Sequence, residues 1–459
     1  MKKIAFFMSG NYSGILQNCP DFLSDFESIA YCPNKLSFDA CRTDLRFTNS
    51  EYLYEGFNEI FDKSHGDEFI SMFPDVNLSR VLMVDKSHYK RKSGSYQKKI
   101  INTMGMKLCE WFKREKPDFI FFPIIESIDA MLAYALARKF NAEPIVYAHA
   151  RHIHCSFYSQ SCNETLPEYT KFEGFDDHIR SRASYILSEY KKLCKPLSYD
   201  YGADNKESRY IAPPMSNTLK RFARSFRLRY GTEKHNQTLK LLTKFEVYFQ
   251  KKAVPIRNLK YNLIERFYLK TLASKPLDFD YFPLHFSPES SINTPAPFYI
   301  DQERVVDRIL LDREGNRPLL LKEHPAMFGF RAFSFYRKLK KKPLVYFLPA
   351  NFSSIDLVRN AYTVYSVTGT ACLEAFFLDK TWVQLGENFL NDWERRFSKE
   401  TGRIPDPLSF IESVLEVSDD FVLFAPGHSQ ERDNLLFSKK NVERMCRHLA
   451  LHISKLQSR

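Results

Sequence analysis

The stretch Val364-Tyr365-Ser366-Val367-Thr368-Gly369-Thr370-Ala371-Cys372-Leu373-Glu374 joins a strand-like apolar run to a helix-like run. The glycine permits a tight turn, and the free N–H groups and dipole of a helix start favour a bound anion. Thr368, Gly369 and Thr370 are therefore candidate phosphate- or ribose-binding residues, and Glu374 is a candidate acceptor for ribose hydroxyls. An ordinary capped helix with a solvated glutamate would explain the same residues.

A second candidate segment, Lys322-Glu323-His324-Pro325, stands where the apolar run Leu319 to Leu321 ends. Pro325 restricts His324 to an extended backbone. An imidazole there can donate a hydrogen bond to a phosphate oxygen and stabilise a departing nucleotide. We take His324 as a candidate catalytic residue and Lys322 and Glu323 as candidate substrate-binding residues. A structural histidine that caps the next segment is the alternative.

A third segment, Leu284-His285-Phe286-Ser287-Pro288-Glu289, follows the strand-like run that begins at Tyr281. His285 and Glu289 are four residues apart in a proline-containing loop, where they either reach a ligand or brace the turn. Strand ends that face helix starts are where open α/β sheets bind phosphorylated ligands. The three segments together therefore predict a nucleotide or nucleotide-sugar site.

The rest of the chain alternates strand-like and helix-like runs with short connections, which predicts doubly wound parallel sheets. At 459 residues the chain is long enough for two domains. We expect a first α/β domain over residues 1–215, a basic helical connector over 216–275, a second α/β domain over 276–427 and a C-terminal helix over 428–459.

Composition excludes several classes of protein. Phe occurs 41 times and the hydrophobic fraction is 44%, so a disordered scaffold is excluded. No apolar run is long enough for a spanning helix, and the N-terminal run is too short for a secretory signal, so we expect a cytoplasmic protein. The nine cysteines are an odd number and include no CxxC pair, which favours free thiols. The histidines and cysteines at 149, 152, 154, 155 and 162 match no standard zinc spacing, so no metal is expected.

The positive charge is concentrated in one segment. Between Lys220 and Lys275 there are fifteen Lys and Arg against three acids, a balance of +12 that equals the net charge of the whole chain. Aromatic residues recur there at helical spacing, which fits either a connector helix or a helix lying on an anionic membrane surface. Nucleic acid is a weaker alternative, because the aromatics are not arranged as base-stacking platforms.

From about Phe282 to Gly386 the chain resembles the capsular-polysaccharide-biosynthesis proteins related to bacterial Kdo transferases. The resemblance rests on FPLHFSPE at 282–289, KEHP at 322–325, FYRKL at 335–339, VTGTACLEA at 367–375 and LDKTWVQLG at 378–386. Before residue 276 the resemblance is only general. Family members often have a small residue or a second glycine where this chain has Cys372.

The resemblance implies a GT-B glycosyltransferase with two Rossmann-like domains facing a cleft. It places His324 and Lys322 on the phosphate of a CMP-sugar and the Thr368 to Thr370 turn on phosphate or ribose. It also makes Glu374 a ribose contact and has His285 and Glu289 line the cleft. No cofactor is implied, since the nucleotide-sugar is itself the substrate.

An inverting transferase needs a base for the acceptor hydroxyl. Glu126 and Asp129 follow the strand-like run Phe119 to Pro123, and three-residue spacing would put both on one helix face. Glu126 is the candidate base, although acids complementing a helix dipole are the simpler explanation. Ser9 and Gly10, after the first strand, are candidates to admit the acceptor close to the backbone.

We therefore expect a glycosyltransferase of bacterial surface polysaccharide synthesis. It would move a Kdo-like sugar from a CMP-activated donor to a lipid-linked or glycan acceptor, at the inner face of the cytoplasmic membrane through 220–275. A CDP-polyol phosphotransferase of the teichoic-acid type, and a non-catalytic basic docking or nucleic-acid-binding protein on this fold, are the alternatives.

Overall fold

The computed structural model describes residues 1–9, 12–63, 67–85, 93–193, 278–287, 290–324, 331–348, 352–423 and 435–458, with the isolated positions 259, 262, 263 and 327. Within these ranges the chain forms two units. Unit 1 contains residues 1–174 and 413–458, and unit 2 contains residues 175–193 and 278–412.

Unit 1 is built on a seven-stranded sheet. Its strands are β1 (Lys2–Phe7), β2 (Phe26–Cys32), β3 (Asn49–Tyr52), β4 (Phe119–Phe122), β5 (Glu143–His149), β6 (Ser156–Ser159) and β12 (Ser418–Asp419), in the order β12-β6-β5-β4-β1-β2-β3. The strands from β5 to β3 pair in parallel, whereas β6 is antiparallel to both β5 and β12. The central strands are almost continuously apolar because both faces of the sheet are covered.

The helices of unit 1 are α1 (Ser13–Leu16), α2 (Lys35–Arg42), α3 (Phe57–Lys63), α4 (Glu68–Met72), α5 (Leu78–Val84), α6 (Gly94–Glu115), α7 (Ile128–Ala137) and α16 (Lys439–Gln457), with 3₁₀ turns at Cys19–Phe22, Arg138–Phe140 and Arg151–Ile153. The long helix α6 begins at Ser93, whose hydroxyl accepts from the N–H of Tyr96. It buries Trp111 and Phe112 against the sheet. The hydrophobic core of unit 1 therefore lies between helix α6 and the strands of the sheet.

The described C-terminal residues, 413–423 and 435–458, belong to unit 1, and α16 (Lys439–Gln457) lies within the stretch 428–459 expected as a C-terminal helix. β12 adds to the outer edge of the sheet beside β6. The hydroxyl of Tyr158 on β6 donates to the carbonyl of Met445 on α16 at 2.9 Å. Such pairing across nearly 290 residues cannot be read from local pattern.

Unit 2 is built on a five-stranded, fully parallel sheet. Its strands are β7 (Asp280–Pro283), β8 (Leu319–Lys322), β9 (Val345–Leu348), β10 (Thr363–Ser366) and β11 (Thr381–Gln384), in the order β11-β10-β7-β8-β9. Its helices are α8 (Asp177–Leu193), α9 (Ser290–Asn293), α10 (Gln302–Asp312), α11 (Phe333–Lys340), α12 (Ser354–Asn360), α13 (Ala371–Phe377) and α14 (Phe389–Thr401), with a 3₁₀ turn at Pro297–Tyr299; α15 (Pro407–Glu416) leads from unit 2 into unit 1.

Helix α8 belongs to unit 2, although residues up to 215 were expected in the first domain. The ring of Tyr190 on α8 meets that of Phe377 on α13 edge-on, with 5.2 Å between centroids. Lys191 also forms an ion pair with Asp379. The prediction of an α/β fold with doubly wound sheets in two units is confirmed. Among the helices that can be described, none combines the length and apolar character needed to cross a bilayer.

Candidate functional site

Both sheets carry the same topological feature. In chain order within each sheet, the parallel strands are arranged 3-2-1-4-5, so the connections reverse direction between the first and fourth strands. Such a switch point, at the carboxyl ends of the strands, is where open α/β sheets bind ligands. It lies between β7 and β10 in unit 2 and between β1 and β4 in unit 1.

His285 lies at the switch point of unit 2, directly after β7. Its side chain is 8% exposed. Its Nε2 accepts the backbone N–H of Val367, after β10, at 3.0 Å, and lies 3.3 Å from Oγ of Ser366. The segments after the two central strands are therefore tied together through one imidazole.

This hydrogen bond determines the protonation of the ring. An imidazole nitrogen that accepts an N–H has no proton of its own, so in the neutral ring of His285 the proton is on Nδ1. Burial, reinforced by the charges of His324 and Arg331, lowers the pKa of His285 from 6.5 to about 3. The ring hydrogen bonds of His285 to described residues run through Nε2, so Nδ1–H is a candidate donor to a ligand.

Gly369 lies against this ring. A Cβ at Gly369 would be 2.8 Å from Cε1 and 3.3 Å from Nδ1 of His285. Gly386 also lies in close contact with the turn, because a Cβ at Gly386 would be 2.9 Å from Cγ2 of Thr368. The glycine turn and an imidazole thus meet, and the histidine that meets the turn is His285.

The two threonines of the turn have partners in this structure. Oγ1 of Thr368 donates to the carbonyl of Ser291 on α9 at 2.5 Å. Oγ1 of Thr370 donates to Oε1 of Glu374 at 3.0 Å. Thr370 is the N-cap residue of α13, but its side chain caps no backbone N–H. A ligand on Thr370 and Glu374 would have to replace their mutual hydrogen bond.

Lys322 and His324 differ in environment, although they are two residues apart. Lys322 is 6% exposed, and its Nζ donates to Oγ of Ser354 at the start of α12 at 2.6 Å. His324 is exposed, with its ring centroid 5.9 Å from that of Phe286. The charge of His324 contributes to the lowered pKa of His285, so the two imidazoles belong to the same edge of the sheet.

Glu323 braces this edge. It is 1% exposed, its Oε2 accepts from Nε of Arg331 at 2.9 Å and from the hydroxyl of Tyr336 at 2.7 Å, and its Oε1 accepts the N–H of His324 at 2.9 Å. Arg331 also donates to the carbonyl of His285. These bonds favour Glu323 as a positioning residue rather than the substrate contact proposed from sequence. Arg331 was missed, since an isolated arginine in a loop gives no local signal.

At the switch point of unit 1, Ser9 follows β1 and is buried. Glu126 is half-buried and precedes α7, which begins at Ile128 after the N-cap Ser127. The expected helix face shared by Glu126 and Asp129 is therefore wrong, because only Asp129 is on the helix. Burial raises the pKa of the Asp129 carboxyl.

Sequence reasoning also missed a loop beside this switch point, after β5. Nδ1 of His149 accepts the N–H of Arg151 at 3.0 Å, and Arg151 forms a 3.0 Å ion pair with Glu164. The only signal was the cluster of histidines and cysteines considered for zinc. Within the described residues no group of three or more His, Cys, Asp or Glu is arranged to hold a metal ion.

Several predicted residues lie outside the described ranges. They are Gly10, Glu289 and Pro325, together with the basic segment 220–275 apart from positions 259, 262 and 263. Their proposed roles stay predictions.

No protein-family model matches this chain, and no curated protein matches it. Among solved structures, it is similar to the β-Kdo 2,7 transferase of KpsC from Thermosulfurimonas dismutans, with 9% identity, coverage of 95% of this chain and 98% of that one, and a TM-score of 0.41. The β-Kdo 2,4 transferase of the same KpsC shows 12% identity, coverage of 65% and 79%, and a TM-score of 0.35. A UDP-GlcNAc 2-epimerase from Methanocaldococcus jannaschii shows 11% identity, coverage of 98% and 100%, and a TM-score of 0.23.

Proposed function

We propose that this protein is a glycosyltransferase of bacterial surface polysaccharide synthesis that moves a Kdo-like sugar from a CMP-activated donor to a lipid-linked or glycan acceptor. The observation that carries the proposal is the contact between His285 and Gly369 at the switch point of unit 2. A backbone amide holds this neutral imidazole by Nε2, which leaves Nδ1–H for a ligand where the glycine lets it approach.

Transfer breaks the bond between the anomeric carbon and a donor phosphate oxygen, and joins that carbon to an acceptor hydroxyl oxygen. The nucleotide leaves with the bonding electron pair, so negative charge develops on its phosphate. Fixed donors aimed at that charge lower the barrier. His285 Nδ1–H and the exposed imidazole of His324 are the proposed donors, and Lys322 adds positive potential.

The remaining roles follow the same chemistry. Thr370 and Glu374 exchange their mutual hydrogen bond for bonds to ribose hydroxyls. If the reaction inverts the anomeric centre, the acceptor proton passes to a base, for which Glu126 is the candidate.

We further propose that segment 220–275 holds the enzyme at an anionic membrane surface, where a lipid-linked acceptor resides. Each Lys or Arg near such a surface contributes about 1 kcal/mol. Its local balance of +12 is therefore ample for reversible docking. Co-sedimentation with phosphatidylglycerol vesicles at low and high salt tests this: binding should be lost at high salt, and binding that ignores salt would contradict it.

A nucleotide panel tests the donor. We expect thermal stabilisation by CMP above UMP, UDP and GDP, because a ligand that binds only the folded chain raises its stability by mass action. Transfer or hydrolysis of CMP-Kdo by His324→Ala should fall about 10²- to 10³-fold, the usual effect of one lost donor to a developing charge. His178→Ala, in an exposed position on α8, is the matched control.

Three outcomes would change the assignment. Equal turnover by wild type and His324→Ala removes His324 from the mechanism. Use of a CDP-polyol in place of a CMP-sugar makes the protein a polyol-phosphate transferase. Absence of stabilisation by any nucleotide, with salt-dependent RNA binding, makes it a non-catalytic binding protein.

A further inference from the structure

The last residue of β5, His149, has a ring nitrogen with no hydrogen-bond partner among the described residues. Nδ1 of His149 accepts the backbone N–H of Arg151 at 3.0 Å, so the neutral ring carries its proton on Nε2. That Nε2–H is buried and makes no hydrogen bond within the described chain. Since buried polar groups are nearly always satisfied, an unpaired donor at a strand end is a candidate contact for a ligand.

The backbone of the loop after β5 is held in an unusual conformation. Arg151 and His154 in this loop have φ of 54° and 55°, and Glu164, after β6, has φ of 57°; they are three of the seven non-glycine residues with positive φ in the described chain. The Arg151–Glu164 ion pair, at 3.0 Å, joins two of these three positions. Conformations of this kind persist where the surroundings enforce them, and they cluster at ligand sites.

This loop begins at the same edge of the sheet at which β1 and β4 end, because the three strands run parallel. These two strands and β5 are neighbours in the sheet. Burial, then the nearby carboxylates of Glu126 and Glu164 and the phenol of Tyr147, raise the pKa of Tyr12. Tyr12, Glu126 and the His149 loop therefore share the switch point of unit 1.

The charges of this group favour an uncharged ligand. Burial, with the charges of Arg151 and the neighbouring histidines, lowers the pKa of His149 to about 3, and burial with His152 lowers that of His154 to about 4. Both rings are neutral at pH 7, and Arg151 is paired with Glu164. Neutral imidazoles, a phenol and carboxylates match hydroxyl groups better than phosphate or carboxylate.

We infer that the switch point of unit 1 binds an uncharged, hydroxyl-rich sugar ring, and that His149 Nε2–H donates a hydrogen bond to one of its oxygens. The inference rests on the proposed glycosyltransferase function, in which this ring belongs to the acceptor. His149 is a donor and not the base, because its accepting nitrogen is already occupied by Arg151. A ligand oxygen that reaches Nε2 displaces the side chains that cover it.

Histidine ¹⁵N NMR tests the geometry directly. His149 should show the Nε2–H tautomer at pH 7, and Nε2 should shift on addition of methyl glucoside, methyl galactoside or methyl N-acetylglucosaminide. Methyl glucuronide should cause a smaller shift. An Nδ1–H tautomer, no response to the three uncharged glycosides, or an equal response to the glucuronide would overturn the inference.

Two variants separate this site from the donor site. His149→Phe should weaken glycoside binding about tenfold, the value of one hydrogen bond, while CMP still raises the melting temperature as in wild type. His178→Phe, at an exposed position on α8, should change neither property. Unchanged glycoside binding in His149→Phe defeats the inference alone, whereas failure of wild type to bind any nucleotide defeats the proposed function.

Discussion

The two units have the same strand order around the switch point but different chemistry at it. In unit 2 the backbone N–H of Val367 occupies Nε2 of His285, so Nδ1 carries the proton. In unit 1 the backbone N–H of Arg151 occupies Nδ1 of His149, so Nε2 carries it. Both rings are buried and neutral, yet they present opposite tautomers.

The surrounding charges differ as well. The edge of unit 2 carries Lys322 and His324 beside the Arg331–Glu323 pair, whereas that of unit 1 carries Glu126 beside the Arg151–Glu164 pair. The same topology therefore places a buried imidazole at both strand edges, and a single backbone hydrogen bond decides which of its nitrogens carries the proton.

The largest expected effect is a difference in the free energy of unfolding between variants of two carboxylates, Glu323 and Glu126. Glu323→Gln leaves the guanidinium of Arg331 buried without its counter-ion, and breaking such a pair lowers the free energy of unfolding by about 3–5 kcal/mol. Glu126→Gln, at a half-buried position, should lower it by less than about 1 kcal/mol. Urea denaturation measures both.

The same pair of variants tests the proposed base. Glu126→Gln should lower turnover by about 10²- to 10⁴-fold at nearly unchanged stability. Equal losses of stability in the two variants would contradict the proposed structural role of Glu323. Full activity of Glu126→Gln would show that Glu126 is not the base.

The next effect concerns the contact between glycine and imidazole in unit 2. Gly369→Ala places a Cβ 2.8 Å from Cε1 of His285, so the ring must shift and its Nδ1–H loses alignment. We expect calorimetry to show CMP binding weakened about ten- to a hundredfold. Gly94→Ala in unit 1, where the new Cβ meets nothing within 4 Å, is the control and should bind normally. Tight CMP binding by Gly369→Ala would remove the turn from the nucleotide site.

The smallest effect is a pH dependence shared by both units. The pKa values of His149 and His285 are about 3 in the folded chain, below the ordinary 6.5. The unfolded chain therefore binds more protons, and the stability that these neutral rings contribute is complete above pH 6.5 and declines as the pH falls toward 3.

Each ring should add a slope of up to about 1.4 kcal/mol per pH unit within that window. His149→Asn and His285→Asn should each flatten the curve from urea denaturation at about pH 7, 6 and 5, and His178→Asn should not. A slope that neither variant changes would show that these rings are not buried as neutral species.

Much of the fold was predictable because strand-length apolar runs, glycine turns and alternating helices are local patterns. The strand-like runs predicted to end at Leu284, Leu321 and Val367 correspond to strands that end at Pro283, Lys322 and Ser366, one residue away in each case. The return of residues 413–423 and 435–458 to unit 1 was not predictable, since β12 has only two residues and is defined by its pairing with β6.

The candidate site was predicted in part. The segments that hold His285, Lys322 and Thr368 to Thr370 do converge on one edge of a sheet, as expected for parallel strands. Which imidazole contacts Gly369 was not predictable, nor were the roles of Arg331 and His149. These depend on side-chain directions and on partners that are remote in sequence.

The sequence alone determined that polar residues follow the central strands, because the period and length of apolar runs specify where strands end. Only the tertiary structure decided what those residues can do. The proton of His285 is on Nδ1 because the amide that occupies Nε2 lies 82 positions further along the chain. A hydrogen bond of that range exists only when the strands are already paired.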